Sequence, residues 1–528
     1  MKLPCFLCLS VLAILPGPAP LPAQDAAASQ APVVKAQDTR GAPDERADQL
    51  IGEMTLEEKV SLLSGTQFVS HAVPRLGIPA FTMSDGPGGV RNAPDGSRGA
   101  CAFPAGAALA ATFDPAMAAA FGKAMGLEDR ARGTDFQLGP GLNICRVPVN
   151  GRNFEYFGED PYLASIIAVN WVKACSAQGS VPVIKHFAAN NQELDRNSVD
   201  AQVDERTMHE IYLPAFKKAA TEGGIVAVMC SYNRLNGFYA SANDWLLNQV
   251  LKKQWGFKGL VMSDWGASHA TTDVVRGLDL EMPSGQNLNF QRIQPAMANG
   301  SVTEANINGA GVGMTGWEPG AAAILQAWYL GQEGGIAVGE VLFGDVNPSG
   351  RLSSTFDKRF EDNPAFPYYP GTNSSSVQYQ VEPYTEGIFY GYRGYDKAGK
   401  DPMYAFGFGL SYTTFTLSNM KVEKAGSEVH VSLDVKNTGS RAGAEVVQIY
   451  VGEEGCPIPR PRRELKGFSK VTLAPGQSKS AGITLPRESF AYWSPATKDW
   501  AVDAGSKFTI EAGISERDIR AAQTLNGL

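Results

Sequence analysis

The chain has 528 residues, too many for one hydrophobic core, so two to four domains are expected. Hydrophobic residues make up 44% and charged residues 19%, which excludes a disordered, collagen-like or membrane-spanning chain. Against 54 Asp and Glu stand 46 Lys and Arg, a formal net charge of -8 with no basic run, so nucleic acid and anionic membrane make poor partners.

The N-terminus reads as an export signal. Lys2 supplies a positive charge, Cys5 to Leu15 an apolar run too short to span a bilayer, and Ala19 to Ala23 small residues for cleavage. This predicts a signal peptide over residues 1–23 and a periplasmic or secreted mature chain, free of the membrane after cleavage. Residues 24–43 are rich in Ala, Gln, Asp and Pro and read as a flexible leader. The five later cysteines are scattered and form no CxxC, which speaks against a zinc site or a disulfide framework.

From residue 44 to 308, short apolar runs alternate with helical patterns. Helices are predicted over Asp44–Leu63, Pro115–Ala131, Tyr162–Gln178 and Glu205–Glu222. Strands are predicted over Phe81–Met83, Phe136–Leu138, Val181–Ile184, Ile225–Cys230, Leu260–Met262 and Leu278–Leu280. Polar groups recur just past the strands: Ser84-Asp85, Lys185-His186, Ser231-Tyr232-Asn233 and Ser263-Asp264-Trp265. In a TIM-type β/α barrel those strand ends converge on one mouth, where such folds place their chemistry. No GxGxxG or P-loop pattern follows a strand, so a nucleotide-binding sheet loses ground.

Residues 309–415 read as a further, incomplete α/β piece, with helical patterns at Gly320–Tyr329 and Gly335–Leu342. Beyond it the period changes to two. Alternation in Val429–Val435, followed by Val446–Val451, Leu465–Phe468, Ala481–Leu485 and Phe508–Ala512, predicts an all-β sandwich over 416–528.

The candidate chemistry sits at the barrel mouth. Asp264 beside Trp265 couples a nucleophilic carboxylate to an apolar face that suits a pyranose. Asp85 can accept from two adjacent hydroxyls, and Arg152, Lys185, His186 and Arg196 are donors. Each hydrogen bond from a charged group contributes roughly 1.5–3 kcal/mol, so a polyol site needs many. His71, His209, His269 and His430 lack metal-ligand spacing and read as structural or exposed.

These residues stand in stretches that resemble a family 3 glycoside hydrolase of the bacterial β-glucosidase type. They are Ser84–Arg91, Asn150–Pro161 (NGRNFEYFGEDP), Val183–Glu193 (VIKHFAANNQE), Val228–Gly237 (VMCSYNRLNG) and Gly259–Ala267 (GLVMSDWGA). Downstream, Ala322–Gly335, Val341–Leu352, Tyr404–Tyr412 (YAFGFGLSY) and Pro461–Val471 (PRRELKGFSKV) also match, the last within the family's fibronectin type III-like domain. The resemblance implies that Asp264 is the nucleophile. It implies that Asp85, Arg91, Arg152, Lys185, His186, Arg196 and Tyr232 hold the glycone, and that Trp265 stacks on it. One branch of the family, acting on N-acetylglucosaminides, carries a second His in the loop after Lys185-His186. Here that loop, Phe187 to Arg196, has none, which favours the glucosidase branch.

The resemblance also exposes a departure. In the family a complete α/β sandwich follows the barrel. Here only Gly309 to Trp317 separates the barrel's last segment from the sandwich's last part. The first part of that domain, which supplies the acid/base Glu, has no counterpart, and Glu386 is the only substitute the reading offers. A truncated sandwich is expected to leave an open sheet edge and uncovered side chains such as Ile324, Leu325, Trp328 and Leu342. Low solubility, or a homodimer covering that edge, should follow. The expected function is a retaining, exo-acting β-glucosidase on oligosaccharides or β-glucosides, needing no metal or organic cofactor. The alternatives are a catalytically impaired glycan-binding protein, or a β-xylosidase or arabinofuranosidase of the same family.

Overall fold

The computed structural model describes residues 43–91, 100–308, 329, 331–343, 345–373, 377–503 and 505–528. The expected signal peptide, nearly all of the expected leader, the junction at 309–317 and the residues Ile324, Leu325 and Trp328 lie outside the described residues, as does the side chain of Leu342. Glu53–Leu528 forms one compact unit. The helix predicted over 44–63 is two helices, Pro43–Glu53 and Leu56–Ser61. The break is local chemistry. Thr55 adopts an extended conformation, its hydroxyl accepts from the Glu58 amide at 3.2 Å, and the Glu58 carboxylate accepts from the Thr55 amide at 2.8 Å. That reciprocal cap starts a new helix and cannot form inside one.

Five parallel strands follow in chain order: β1 (Met83–Asp85), β2 (Phe136–Leu138), β3 (Val181–Phe187), β4 (Ala227–Cys230) and β5 (Leu260–Met262). Each pairs with its sequence neighbour. Leu278–Leu280 was expected to be a sixth strand and forms no ladder. Instead Leu280 bridges Met262 in parallel and Glu281 bridges Ser64. The hairpin Gly65–Thr66/Val69–Ser70 then meets Thr82 beside β1 through Val69, which closes the ring. Inside it pack Met83, Leu138, Val183, Met229, Leu260, Met262, Leu280 and Met282. The result is a filled barrel core, as the inward-pointing side chains of such a ring require.

The outer layer follows from close helix approach. Helices Pro115–Ala131 and Pro161–Ser176 are each started by an Asp, Asp114 or Asp160, whose carboxylate accepts from two backbone amides of the first turn. They touch where Gly122 faces Trp171: a Cβ on Gly122 would lie 2.1 Å from the Trp171 carbonyl oxygen. Trp171 is buried in the main core, so Trp171→Ala there belongs to the ~3–5 kcal/mol class of losses. The helix predicted over 205–222 is interrupted before Pro214, which cannot donate to the preceding turn, and resumes as Pro214–Thr221.

In the described part of the segment after the barrel, the strands Thr372–Asn373 and Gln380–Pro383 extend a sheet built by the barrel's own loops, pairing next to Asp200–Gln202, and Thr372–Asn373 forms the edge of that sheet. Uncovered apolar side chains are present in this segment, led by Leu410 at 73% and Ile336 at 63% exposure. The C-terminal sandwich packs a three-stranded sheet (Phe415–Ala425, Glu428–Asn437, Ser478–Leu485) and a four-stranded one (Glu464–Leu473, Gly443–Glu454, Lys507–Gly513, Ile519–Asn526). Alternate residues of Val429–Val435 meet Val447, Ile449 and Val451 in one core.

Candidate active site

A cavity of about 200 Å³ opens at the C-terminal ends of the barrel strands. Eight of the nine residues expected from sequence line it: Asp85, Arg152, Lys185, His186, Arg196, Tyr232, Asp264 and Trp265. Phe68, Leu138 and Met229 complete the wall. The ninth, Arg91, is not among the lining residues; its Nη2 lies 3.7 Å from Asp85 Oδ2 and its side chain is largely exposed. The fold explains the convergence. Asp85 ends β1, Lys185 and His186 lie near the end of β3, and Tyr232 and Asp264 stand two residues past β4 and β5. Arg152 and Arg196 come from the loops after β2 and β3.

The electrostatics are set by cations around buried acceptors. Lys185 Nζ is 3.3 Å from Asp85 Oδ1. Burial pushes the Asp85 carboxyl up to about 7, against the pull of Lys185, Arg91 and Arg152. Burial, with Arg152, Lys185 and Arg196 nearby, drives the His186 imidazole well below its ordinary range, so the ring is neutral. Arg152 can only donate, so its Nη2 donates to His186 Nε2 at 2.9 Å. The ring proton therefore sits on Nδ1, facing Asn143 Oδ1 at 3.3 Å, while the His186 amide donates to the same oxygen at 2.8 Å.

This tautomer sets Asp264 apart from Asp85, the other carboxylate lining the cavity. Its Oδ1 accepts from the Trp265 amide at 2.7 Å. Its Oδ2 is 3.8 Å from His186 Nε2, which has no proton to offer, and is buried without a hydrogen-bond partner. Burial and the neighbouring Asp264 carboxylate raise the Tyr232 phenol, which stays protonated as a donor. Trp265 and Phe68 form one apolar side, their rings 5.2 Å apart and tilted by 31°. Donors, one acceptor pair, an aromatic wall and one underused carboxylate oxygen together suit a polyhydroxylated ring presented to a nucleophile.

Sequence reasoning missed several contributors. Glu155 lies 2.7 Å from Arg152 Nη2, and Glu193 lies 2.5 Å from Arg196 Nη1 and 3.9 Å from Arg152 Nη1. Both glutamates fall in motif stretches that could have flagged them. Phe68 arrives from the short hairpin near residue 65 and carries no comparable signal.

The structure places Glu386 in a different cluster. Its carboxylate takes two hydrogen bonds from Arg146, Nε to Oε1 at 2.5 Å and Nη2 to Oε2 at 3.1 Å, and its side chain is 3% exposed. Arg146 also pairs with Glu382 and lies 3.6 Å over the Tyr384 ring. A carboxylate held by both oxygens, and absent from the cavity lining, is a clamp between segments. Glu386, the acid/base substitute that the sequence offers, is thus engaged by Arg146 and stands outside the cavity lining.

All five described cysteines are free thiols. His209 stacks on Trp493 and His269 on Tyr239, each pair with centroids 3.6 Å apart. Among the described residues no helix is long and apolar enough to cross a membrane.

Residues 27–312 match the Glycosyl hydrolase family 3 N terminal domain, 261–412 the Glycosyl hydrolase family 3 C-terminal domain, and 445–516 the Fibronectin type III-like domain. Thermostable beta-glucosidase B of Acetivibrio thermocellus is 32% identical, with 89% of this chain and 87% of that one covered. An exo-alpha-(1->6)-L-arabinopyranosidase of Bifidobacterium longum is 30% identical, with 89% and 87% covered. Among solved structures, beta-glucosidase 3B of Thermotoga neapolitana, in complex with glucose, superposes with a TM-score of 0.84 at 27% identity, covering 91% of this chain and 99% of that one. A Bifidobacterium adolescentis GH3 beta-glucosidase gives 0.83 at 30% identity, covering 90% and 95%. The Acetivibrio alignment runs over 662 residues, whereas 89% of 528 is about 470, so about 190 of its positions face no residue of this chain.

Proposed function

The chain belongs to glycosyl hydrolase family 3 and is a glycoside hydrolase, and from that premise we propose a retaining, exo-acting β-glucosidase whose nucleophile is Asp264. The observation that carries this reading is the unpartnered Asp264 Oδ2 inside a cavity with room for one sugar ring and little more. Asp85, with Lys185 and Arg91 beside it, accepts from adjacent glycone hydroxyls. Arg152, Arg196 and the Tyr232 phenol orient the ring, neutral His186 holds Arg152 by accepting from it at Nε2, and Trp265 covers the apolar face. Asp264 attacks the anomeric carbon, the aglycone oxygen leaves with the bond's electron pair, and water then displaces Asp264 from the glycosyl-enzyme.

The stretch of about 190 positions without counterpart is assigned, on this reading, to the junction between 308 and 318. With it goes the Glu that the family uses as acid/base. Departure of a sugar alkoxide is then slow, and water lacks its base. Export through a signal peptide over 1–23 belongs to the same proposal.

A second reading follows from the arabinopyranosidase relatives, which are as similar as several of the β-glucosidases. A pyranose pentose lacks the C6 hydroxymethyl group and fits a small cavity equally well. Nitrophenyl β-D-glucoside, β-D-xyloside and α-L-arabinopyranoside, compared by kcat/KM, separate the two. Glucoside preference with first-formed β-glucose by proton NMR is expected; preference for either pentoside, or an inverted product, rejects the proposal.

A further inference from the structure

Arg152 and Arg196 both line the cavity, and both are long, flexible side chains whose heads must be aimed to be useful. One carboxylate touches both. Glu193 Oε2 is 2.5 Å from Arg196 Nη1 and Oε1 is 3.9 Å from Arg152 Nη1. Glu193 is itself held, because Asn190 Nδ2 donates to its Oε1 at 3.2 Å. It sits in the same loop as Arg196, three residues away, while Arg152 comes from the loop after the neighbouring strand. Arg196 so placed lies 4.6 Å over the Tyr232 ring, which brings a third wall of the cavity into register.

We propose that Glu193 is a positioning residue, whose carboxylate aims Arg152 and Arg196 across the glycone cavity and so sets the affinity for the sugar. The proposal rests on the glycosidase reading above. Glu193 is absent from the cavity lining, so its effect passes through the two guanidinium groups. Arg152 keeps a second carboxylate, Glu155, at 2.7 Å, whereas Arg196 takes its closest ion pair from Glu193 alone among the described residues. Loss of the Glu193 charge should therefore free Arg196 more than Arg152. The two arginines bind the sugar before and during reaction, so their misplacement weakens both states alike and raises KM with little change in kcat.

The test is steady-state kinetics on nitrophenyl β-glucoside with Glu193→Gln, Glu193→Asp and Arg196→Met, alone and combined. Expected for Glu193→Gln is a KM raised about tenfold with kcat within about threefold, and an unchanged melting temperature. Glu193→Asp, which keeps the charge, should recover part of that loss. In the Arg196→Met background, Glu193→Gln should cost much less than it does alone, because the main group it aims is gone. An unchanged KM in Glu193→Gln, or full additivity with Arg196→Met, overturns the proposal. So does a fall in kcat confined to poor leaving groups and reversed by azide, which would make Glu193 a proton-transfer group. A wild-type chain inactive on every aryl glycoside defeats the glycosidase reading instead, and is told apart by that control.

Discussion

Two clusters in this molecule are built from the same materials, carboxylates and arginines in the protein interior, and do opposite things. Around Arg146, Glu386 is held through both oxygens and Glu382 through one, and the pairing ties residues 382–386 to the loop after β2. Around Asp264, the cations are occupied with Asp85, Glu155, Glu193 and His186, and one oxygen of Asp264 is left without a partner. A carboxylate paired through both oxygens, as Glu386 is, stabilises geometry. Charge that is held in place but incompletely paired is available for chemistry. That difference, together with the place of Asp264 in the cavity lining and of Glu386 outside it, is the reason Asp264 and not Glu386 is proposed as the reacting carboxylate.

The comparison breaks most visibly at its reactive end. Asp264→Ala should lower turnover of nitrophenyl β-glucoside by ~10³-fold or more, the scale of a lost nucleophile, while the melting temperature barely moves. Activity above a few per cent would place the nucleophile elsewhere.

Next in size is the consequence of the proposed loss of the acid/base Glu. A general acid contributes ~10²–10⁴-fold and matters most for a poor leaving group. Cellobiose should therefore be nearly inert while nitrophenyl β-glucoside still glycosylates the enzyme, and azide should release the accumulated intermediate and raise the rate. Cellobiose cleavage at a comparable rate, indifferent to azide, would mean that some residue of this chain donates the proton.

At the structural end, Arg146→Met leaves two buried glutamates without their cation and should destabilise by ~3–5 kcal/mol, read as a fall in melting temperature. Glu386→Gln should cost less stability and leave kcat/KM within about twofold, because its carboxylate transfers no proton. A collapse of kcat in stable Glu386→Gln would reverse the assignment of the two clusters.

Smaller effects follow from titration. Asp85, raised to about 7, must be ionised to accept hydroxyl protons, so KM for the glucoside should climb as pH falls below about 7. Asp85→Asn should flatten that limb. The Glu516 carboxyl is raised to about 8 by burial and by the nearby Asp396 carboxyl. The folded state thus holds a proton that the unfolded chain releases near pH 4.5, the group's ordinary value. Its contribution is present below that pH and is lost as pH rises toward about 8, so Glu516→Gln should lessen the decline in melting temperature over that window.

The barrel and its mouth were legible because both rest on short-range signals. An apolar run of three or four residues followed by Asp85, Lys185-His186, Tyr232 or Asp264 states strand and site together. Ring closure was harder: Leu280 and Glu281 join through single bridges, with no ladder to impose a period. The pattern near residue 55 reads as one helix because the cap that splits it depends on two side chains acting reciprocally. Glu386 was beyond reach, since its partner Arg146 is 240 residues away and nothing local announces the pair.

The claim at the centre is that Asp264 forms a bond to sugar carbon. A 2-deoxy-2-fluoro-β-glucosyl fluoride has a good leaving group, so it needs no acid to glycosylate the enzyme, and its fluorine slows the second step. Digestion and mass spectrometry of the inactivated protein should find one fluoroglucosyl group, on the peptide containing Ser263-Asp264-Trp265 and at Asp264. A label on any other residue, or steady turnover of the reagent's parent glucoside with no covalent adduct detectable, would contradict the account.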